Sequence, residues 1–240
     1  MQHFLKHEQL SVIEQNVSYY DEMADQYDEI LDRDLSNEII REKVAAVFSE
    51  LLASGLVLDF GGGTGKDLEW LVKKGYQVIF CEPSVKMREK AFLLFQNNGP
   101  HSDTLFLGNA ASDFVTWQNK LPFSQKVDAV LANFAVINNI PVIDLLFKNL
   151  SLVTRNGGHL LILVLKSDFK KRWQSNRRAA ILSLFTASTV TTDTQFNGKR
   201  QKVHLYSVQK IKKMAAAYFH FCSSRLLKEK GFVLIHFTRK

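Results

Sequence analysis

The tightest constraint on how this chain folds is the stretch Val57-Leu58-Asp59-Phe60-Gly61-Gly62-Gly63-Thr64-Gly65. A short apolar run that ends in glycines reads as a buried strand entering a turn. The segment from Asp67 to Lys74, with Leu68, Trp70, Leu71 and Val72, reads as the start of a helix. The glycines therefore occupy a strand-to-helix turn, where the absence of Cβ atoms lets a ligand lie against the backbone. The helix start behind them offers N–H groups with no partner inside the helix. Open α/β sheets bind ligands in this position, beyond the carboxyl ends of the strands.

The spacing narrows the ligand. A dinucleotide fingerprint reads G-x-G-x-x-G. Counted from Gly61 and Gly63 the third glycine falls on Lys66, and counted from Gly63 and Gly65 it falls on Leu68. Neither register works. The pattern present is D-x-G-x-G-x-G, with Asp59 two residues before the first glycine. A carboxylate there repels a pyrophosphate and suits an ammonium group, directly or through water. A second acid, Glu82, closes the next apolar run, Tyr76-Gln77-Val78-Ile79-Phe80-Cys81.

The rest of the chain alternates. Helices are expected over 10–32 and 36–54, the second opened by Ser36 and closed by Gly55. Strands are expected at 56–60, 77–81, 104–107, 127–132 and 159–165, with helices at 66–74, 84–96 and 141–153 between them. Such alternation argues for a parallel sheet covered by helices on both faces. After Leu165 the rhythm changes. Lys170 to Phe185 reads as a helix, and Asn197-Gly198 between two β-prone runs signals a hairpin over 188–206. A helix at 208–217 and strands near 219–226 and 232–238 close the chain. The expected organisation is one domain over 1–240: a helical cap (1–54), a ligand-binding core (55–165), a cap and hairpin insertion (166–207) and a closing segment (208–240).

These motifs, in this order, resemble those of class I S-adenosylmethionine-dependent methyltransferases, in particular the small-molecule members. Asp59 with Gly61, Gly62, Gly63 and Gly65 matches the first motif. Glu82 stands where the family places the carboxylate that accepts from both ribose hydroxyls, and Pro83, Ser84 and Met87 follow as in its "D/E-x-S-x-x-M" continuation. Gly108-Asn109-Ala110 falls where many members carry "G-D-A" beside the adenine, with Asn109 in place of aspartate. An amide there can donate to a ring nitrogen or accept from the exocyclic amine. The fourth strand leads into Asn133, Phe134 and Ala135, and Arg155-Asn156-Gly157-Gly158-His159 resembles the family's approach to the fifth strand. The leader Tyr19-Tyr20-Asp21-Glu22-Met23-Ala24-Asp25-Gln26-Tyr27-Asp28 resembles "Y-D-x-x-A-x-x-Y-D". The resemblance implies a Rossmann-like, doubly wound, seven-stranded sheet with the last strand antiparallel. It implies S-adenosylmethionine as cofactor, released as S-adenosylhomocysteine. It assigns Tyr20, Tyr27, Asp59, Gly61, Gly62, Gly63, Gly65, Glu82, Pro83, Met87, Asn109, Ala110, Asn133, Phe134 and Ala135 to its binding, with Tyr20 or Tyr27 at the methionine end.

Composition sets the remaining bounds. No run approaches the roughly 20 apolar residues of a membrane helix, and no secretory leader is evident, so a cytoplasmic location is the default. Cys81 and Cys222 are the only cysteines and suggest neither a disulfide framework nor a metal site. The net charge of +7 is unevenly spread. Residues 1–50 hold 12 acids against 4 Lys and Arg, whereas 166–213 hold 12 Lys and Arg against 2 acids. These segments read either as solvated faces of opposite sign or as two caps that meet over the cleft.

Methyl transfer needs positioning more than a dedicated catalytic group. His204 and Tyr20 are the candidates for one. Arg172, Arg177 and Arg178 are candidates for holding an anionic acceptor, and His159 reads as structural. Asn133-Phe134-Ala135-Val136 lacks the prolines of the family's nucleobase and glutamine-amide N-methylating members, and no cysteine nearby supports a C5-pyrimidine mechanism. The expectation is a small-molecule acceptor with an oxygen or nitrogen nucleophile, in a monomer or homodimer with no membrane partner. Methylation of RNA or protein, and cofactor binding without turnover, are the alternatives.

Overall fold

Strand β1 (Leu56–Phe60) lies at the centre of a seven-stranded sheet ordered β3-β2-β1-β4-β5-β9-β8. The computed structural model describes residues 7–97, 104–165, 189–229 and 231–240. Parallel pairing joins β1 to β2 (Gln77–Cys81) and to β4 (Val127–Ala132), β2 to β3 (Thr104–Phe106), and β4 to β5 (Thr154–Leu165). The last strand, β9 (Phe232–Arg239), runs antiparallel between β5 and β8 (Phe219–Leu226). This is the Rossmann-like, doubly wound sheet expected from the sequence. Its order reverses between β1 and β4, which opens a crevice at the carboxyl ends of those two strands.

Both faces of the sheet are buried, so the central strands are apolar at successive positions. Val57, Val78, Leu131 and Leu161 face α2 (Ser36–Leu51) and α3 (Lys66–Lys73), where Ile40, Val44, Phe48, Leu68 and Leu71 meet them. Leu58, Ile79, Val130 and Ile162 face α6 (Ile143–Val153) and α7 (Val208–Ala215) on the other side. Helix α4 (Val85–Asn97) follows β2, and a one-turn helix, α5 (Asn109–Ser112), follows β3. The helix α2 stops at Leu51, and β5 starts at Thr154 rather than at 159, with its register against β4 shifting between Val127 and Ala129. The helix expected over 170–185 and the three arginines on it lie outside the described residues. Among the described residues no helix is long and apolar enough to cross a membrane.

Helix α1 (His7–Asp32) does not belong to either core layer; it crosses the carboxyl edge of the sheet. Its aspartates at 21, 25, 28 and 32 share one face. Asp21 accepts from Ser84 Oγ (2.6 Å) and from the Lys86 N–H (3.1 Å), and Asp28 accepts from Thr64 Oγ1 (2.6 Å). Lys90 stands 3.2 Å from Asp25 and Lys66 2.7 Å from Asp32. Asp21 and Asp28 thus dock on the turns that open α4 and α3, where helix N-termini favour anions, while Asp25 and Asp32 pair with lysines and stay largely exposed.

The expected hairpin forms as a separate two-stranded arm, β6 (Val190–Phe196) and β7 (Lys199–Leu205). Asn197 (φ 44°) and Gly198 (φ 78°) are both left-handed, as a two-residue primed turn requires. The arm leans on α1 through Asn16, whose amide oxygen accepts from the Lys202 N–H (2.8 Å) while its nitrogen donates to the Lys202 carbonyl (3.0 Å).

Gly158 is the tightest backbone approach in the lower half of the sheet. A Cβ there meets Thr154 Cγ2 at 2.8 Å and the carbonyl oxygens of Arg155 and Asp128 at 2.9 Å. Two of these are main-chain atoms and cannot swing aside. Gly158→Ala is expected to cost about 1–3 kcal/mol, the range of overpacking, read as a lowered urea midpoint with an unchanged slope.

Candidate active site

The crevice between β1 and β4 is closed above by α1 into a cavity of about 490 Å³. That volume suits a small organic ligand. Of the residues expected to bind, Tyr20, Tyr27, Gly61, Gly62, Gly63, Glu82, Pro83, Met87, Asn109, Asn133 and Phe134 line it.

The glycine turn forms the floor. Gly61 and Gly62 donate their N–H groups to the Cys81 carbonyl at 2.7 and 3.2 Å, which ties the turn to β2. A Cβ on Gly62 would strike the Phe80 ring and stand 2.7 Å from Asp59 Oδ2, so only glycine fits. Glu82 is 7% exposed and accepts from the Gly63 N–H (3.0 Å) on one oxygen and the Ser84 N–H (2.8 Å) on the other. Each oxygen keeps a lone pair for a ligand. Burial pushes its pKa up to about 7, against the lowering effect of those two N–H groups and of Arg88.

Arg88 also fixes Asn109. Its guanidinium donates to the Glu82 carbonyl (2.5 Å) and to Asn109 Oδ1. Since arginine can only donate, the oxygen of Asn109 is engaged and its NH₂ is what remains for a ligand. Of the two adenine contacts open to Asn109 from sequence, the donor is the one left.

Beneath the other end lies a charged cluster. Asp67, at the start of α3, accepts from both Asn133 (3.0 Å) and Trp70 (2.8 Å), and pairs with Arg41 at 2.5 Å. The Arg41 guanidinium also sits 4.5 Å from the centre of the Phe134 ring. Phe134 (φ 47°) and Ala135 (φ 64°) are consecutive left-handed residues without being glycine, a strained turn held by the Ala135 N–H bond to the Leu163 carbonyl (3.0 Å).

Five expected site residues are not on the cavity wall. Asp59 is 1% exposed, behind Gly62, and its Oδ2 has no hydrogen-bond partner. Burial, then the charge of Asp67, raise its pKa well above the usual carboxylate range, with Arg41 opposing. Gly65 caps α3 and packs against Ala91; Ala110 is exposed; Ala135 faces β5. His204 is buried in the arm, stacked on Tyr206 with Nδ1 3.3 Å from Thr191 Oγ1, and burial lowers its pKa. It therefore does not reach the cavity as a base. Tyr20 reaches the cavity, but its oxygen accepts from Asn139 (3.1 Å) and Gln201 (2.8 Å), and burial raises its pKa to about 12. With both lone pairs occupied it cannot take a proton.

Residues 27–218 match the family model of the methyltransferase domain. The chain belongs to that family. A demethylmenaquinone methyltransferase of Thermobifida fusca is 33% identical over 150 residues, which cover 60% of this chain and 58% of that protein. The chain thus spans about 58% of the length of this curated relative. Among solved structures, DhpI in complex with SAM and HEP has a TM-score of 0.71 at 16% identity, covering 97% of this chain and 99% of that one. The Burkholderia thailandensis 1,6-didemethyltoxoflavin-N1-methyltransferase, with bound 1,6-didemethyltoxoflavin and S-adenosylhomocysteine, has a TM-score of 0.66 at 16% identity, covering 98% and 91%. At such identities the likeness shows the fold.

The residues around the cavity of this methyltransferase domain fit S-adenosylmethionine, the cofactor of the class I family. Asp59 and Asp67 lie about the guanidinium of Arg41 while Glu82 has Arg88 beside it, and this gathering of carboxyl groups suits a ligand carrying both a sulfonium and an ammonium. Asp59 brings an unsatisfied buried oxygen to the same place. Four contributors escaped the sequence reading. Arg41 sits mid-helix with no motif around it, and Asp67 looks like an ordinary acid of a helix first turn. Asn139 and Gln201 are joined to Tyr20 only by tertiary structure.

The raised pKa of Glu82 makes stability depend on pH. Its proton is held more tightly in the folded state, so its ionisation penalty is absent below about pH 4.5, the unfolded value, and complete above about pH 7. Glu82→Gln removes the penalty. The stability of the wild type relative to Glu82→Gln is expected to fall by an amount on the order of 3 kcal/mol between those limits, measurable by urea unfolding at pH 4.5 and 8 without ligand.

Proposed function

We propose that this protein transfers a methyl group from S-adenosylmethionine to a small-molecule acceptor by direct displacement at oxygen or nitrogen. The observation that carries the reading is Glu82, a buried carboxylate anchored by two backbone N–H groups, with one free lone pair on each oxygen facing the cavity. That arrangement suits a vicinal diol such as a ribose. Bound S-adenosylmethionine would supply a methyl group already activated on sulfur.

The protein's own residues supply the rest. Gly61, Gly62 and Gly63 let the amino-acid portion approach the backbone, and the charge of Asp67 and the unsatisfied oxygen of Asp59 favour its ammonium group. Tyr20 and Tyr27, whose rings meet edge-on at 6.1 Å, close over it from α1. Asn109 donates toward the adenine, beside Pro83 and Met87. Past this region the cavity continues between the first half of α1 and the turn at 113–115, walled by Leu10, Ile13, Val17, Phe114, Val115 and Ile140. These side chains exclude water and receive an apolar acceptor body. The carboxyls on that side are Glu14 and Asp113; burial raises the pKa of Asp113 and the charge of Glu14 raises it further. Asp113 is therefore the group placed to take the proton of a hydroxyl or amine acceptor, the role sought in His204 and Tyr20. Orientation in such a closed site accounts for up to about 7–11 kcal/mol of barrier lowering, and the proton acceptor for roughly 100–10,000-fold more.

Calorimetry tests the reading. The wild type is expected to bind S-adenosylmethionine and S-adenosylhomocysteine, and Glu82→Ala to bind both roughly 100-fold more weakly, as expected for two charge-assisted hydrogen bonds. Binding of NAD with no binding of S-adenosylmethionine overturns the reading. Because only ionised Glu82 accepts from both hydroxyls, affinity for S-adenosylhomocysteine is expected to rise roughly tenfold from pH 6 to pH 8, as the competent fraction grows through about pH 7. A flat profile counts against the role of Glu82.

A further inference from the structure

Tyr20 is oriented by two amides, Asn139 on the cavity wall and Gln201 behind it. Thr194 Oγ1 donates to Gln201 Oε1 at 2.8 Å, which leaves the Gln201 NH₂ to face Tyr20. That NH₂ donates to the Tyr20 oxygen at 2.8 Å and to Asn139 Oδ1 at 2.7 Å. With its oxygen taken, Asn139 must also present its NH₂ to Tyr20, at 3.1 Å. A phenol oxygen accepts two hydrogen bonds, and both are supplied. The Tyr20 proton is therefore turned away from both amides. Tyr20 lines the cavity, and among the described residues nothing accepts that proton. Gln201 itself is buried and not on the cavity wall; it belongs to the arm, and it reaches the site only through Tyr20 and Asn139.

We infer that Gln201 and Asn139 are positioning residues that hold Tyr20 as a one-way hydrogen-bond donor to the carboxylate of the bound cofactor. The inference rests on the reading of the cavity as an S-adenosylmethionine site. The two cations on the cavity wall are already paired, Arg41 with Asp67 and Lys66 with Asp32. A ligand carboxylate therefore calls for a neutral donor, and the Tyr20 hydroxyl, held by the two amides, offers one. The arm, which touches no ligand, thereby sets cofactor affinity through two amides.

The test is Gln201→Glu, which keeps size but replaces both donors with an acceptor, so that the Tyr20 proton turns toward the arm. Affinity for S-adenosylhomocysteine is expected to fall roughly tenfold, matching Tyr20→Phe. Asn139→Asp, which removes the other donor, should shift it in the same direction and serves if Gln201→Glu does not fold. Methylthioadenosine, which lacks the carboxylate, should bind all variants as it binds the wild type. In the Tyr20→Phe background Gln201→Glu should have no further effect; a further loss would mean simple charge repulsion and would overturn the inference. Wild-type affinity in Gln201→Glu, or equal weakening of methylthioadenosine, also overturns it. Failure of the wild type to bind S-adenosylhomocysteine overturns instead the reading on which it rests.

Discussion

One carboxylate holds the ends of two strands together. Glu82 closes β2, yet one of its oxygens is bonded to Gly63 beyond β1 and the other to Ser84 at the start of α4. Each bond spans a turn that would otherwise carry an unsatisfied N–H, and together they fix the spacing of the two turns. The rest of the site is built on that spacing. Asp21 of α1 reaches Ser84 and Asp28 reaches Thr64, so α1 can lie across the crevice only while the two turns keep their distance. The burial that makes this clasp rigid also makes its charge costly, which is why the group titrates near neutrality.

The electrostatics follow from the same crowding. Asp59, Asp67 and Glu82 lie within electrostatic reach of one another, with Arg41 beside Asp67 and Arg88 beside Glu82, and burial together with the charge of Asp67 raises the pKa of Asp59. An arrangement that is unfavourable for the protein alone becomes favourable once a cationic ligand enters. Arg41 spans this region, ion-paired to Asp67 and seated over Phe134, and so braces the left-handed turn that follows β4.

Much of this was legible in the sequence because it depends on local pattern. The run from Val57 to Gly65 announces its turn by itself, Glu82 stands at the end of its own apolar run, and Asn197-Gly198 specifies a hairpin through backbone geometry alone. What could not be read depends on distance in sequence. Gln201 and Tyr20 are 181 residues apart, and no periodicity links them. The acidic leader was open between a solvated face and a cap that meets the basic segment over the cleft; the docking of Asp21 and Asp28 on the turns that open α4 and α3 adds partners that no local pattern announces. His204 shows the opposite error. Its residue type invited a chemical role, but alternation along β7 turned it into the arm's own packing.

Asn16 has a role beyond its three bonds, two to the Lys202 backbone and one to the Asn139 carbonyl. By giving and accepting with Lys202, its side chain does what the backbone of a neighbouring strand would do, and it extends the arm's ladder by one rung onto a helix. The leader and the arm, separated by most of the chain, thus form one mechanical unit over the crevice. Ligand exchange by lifting that cover requires the two to part company or to rise as one body. The two are joined at several places, Asn16 to Lys202, Gln15 to Arg200 and Tyr20 to Gln201, so parting them breaks all of these bonds together, including the one that orients Tyr20.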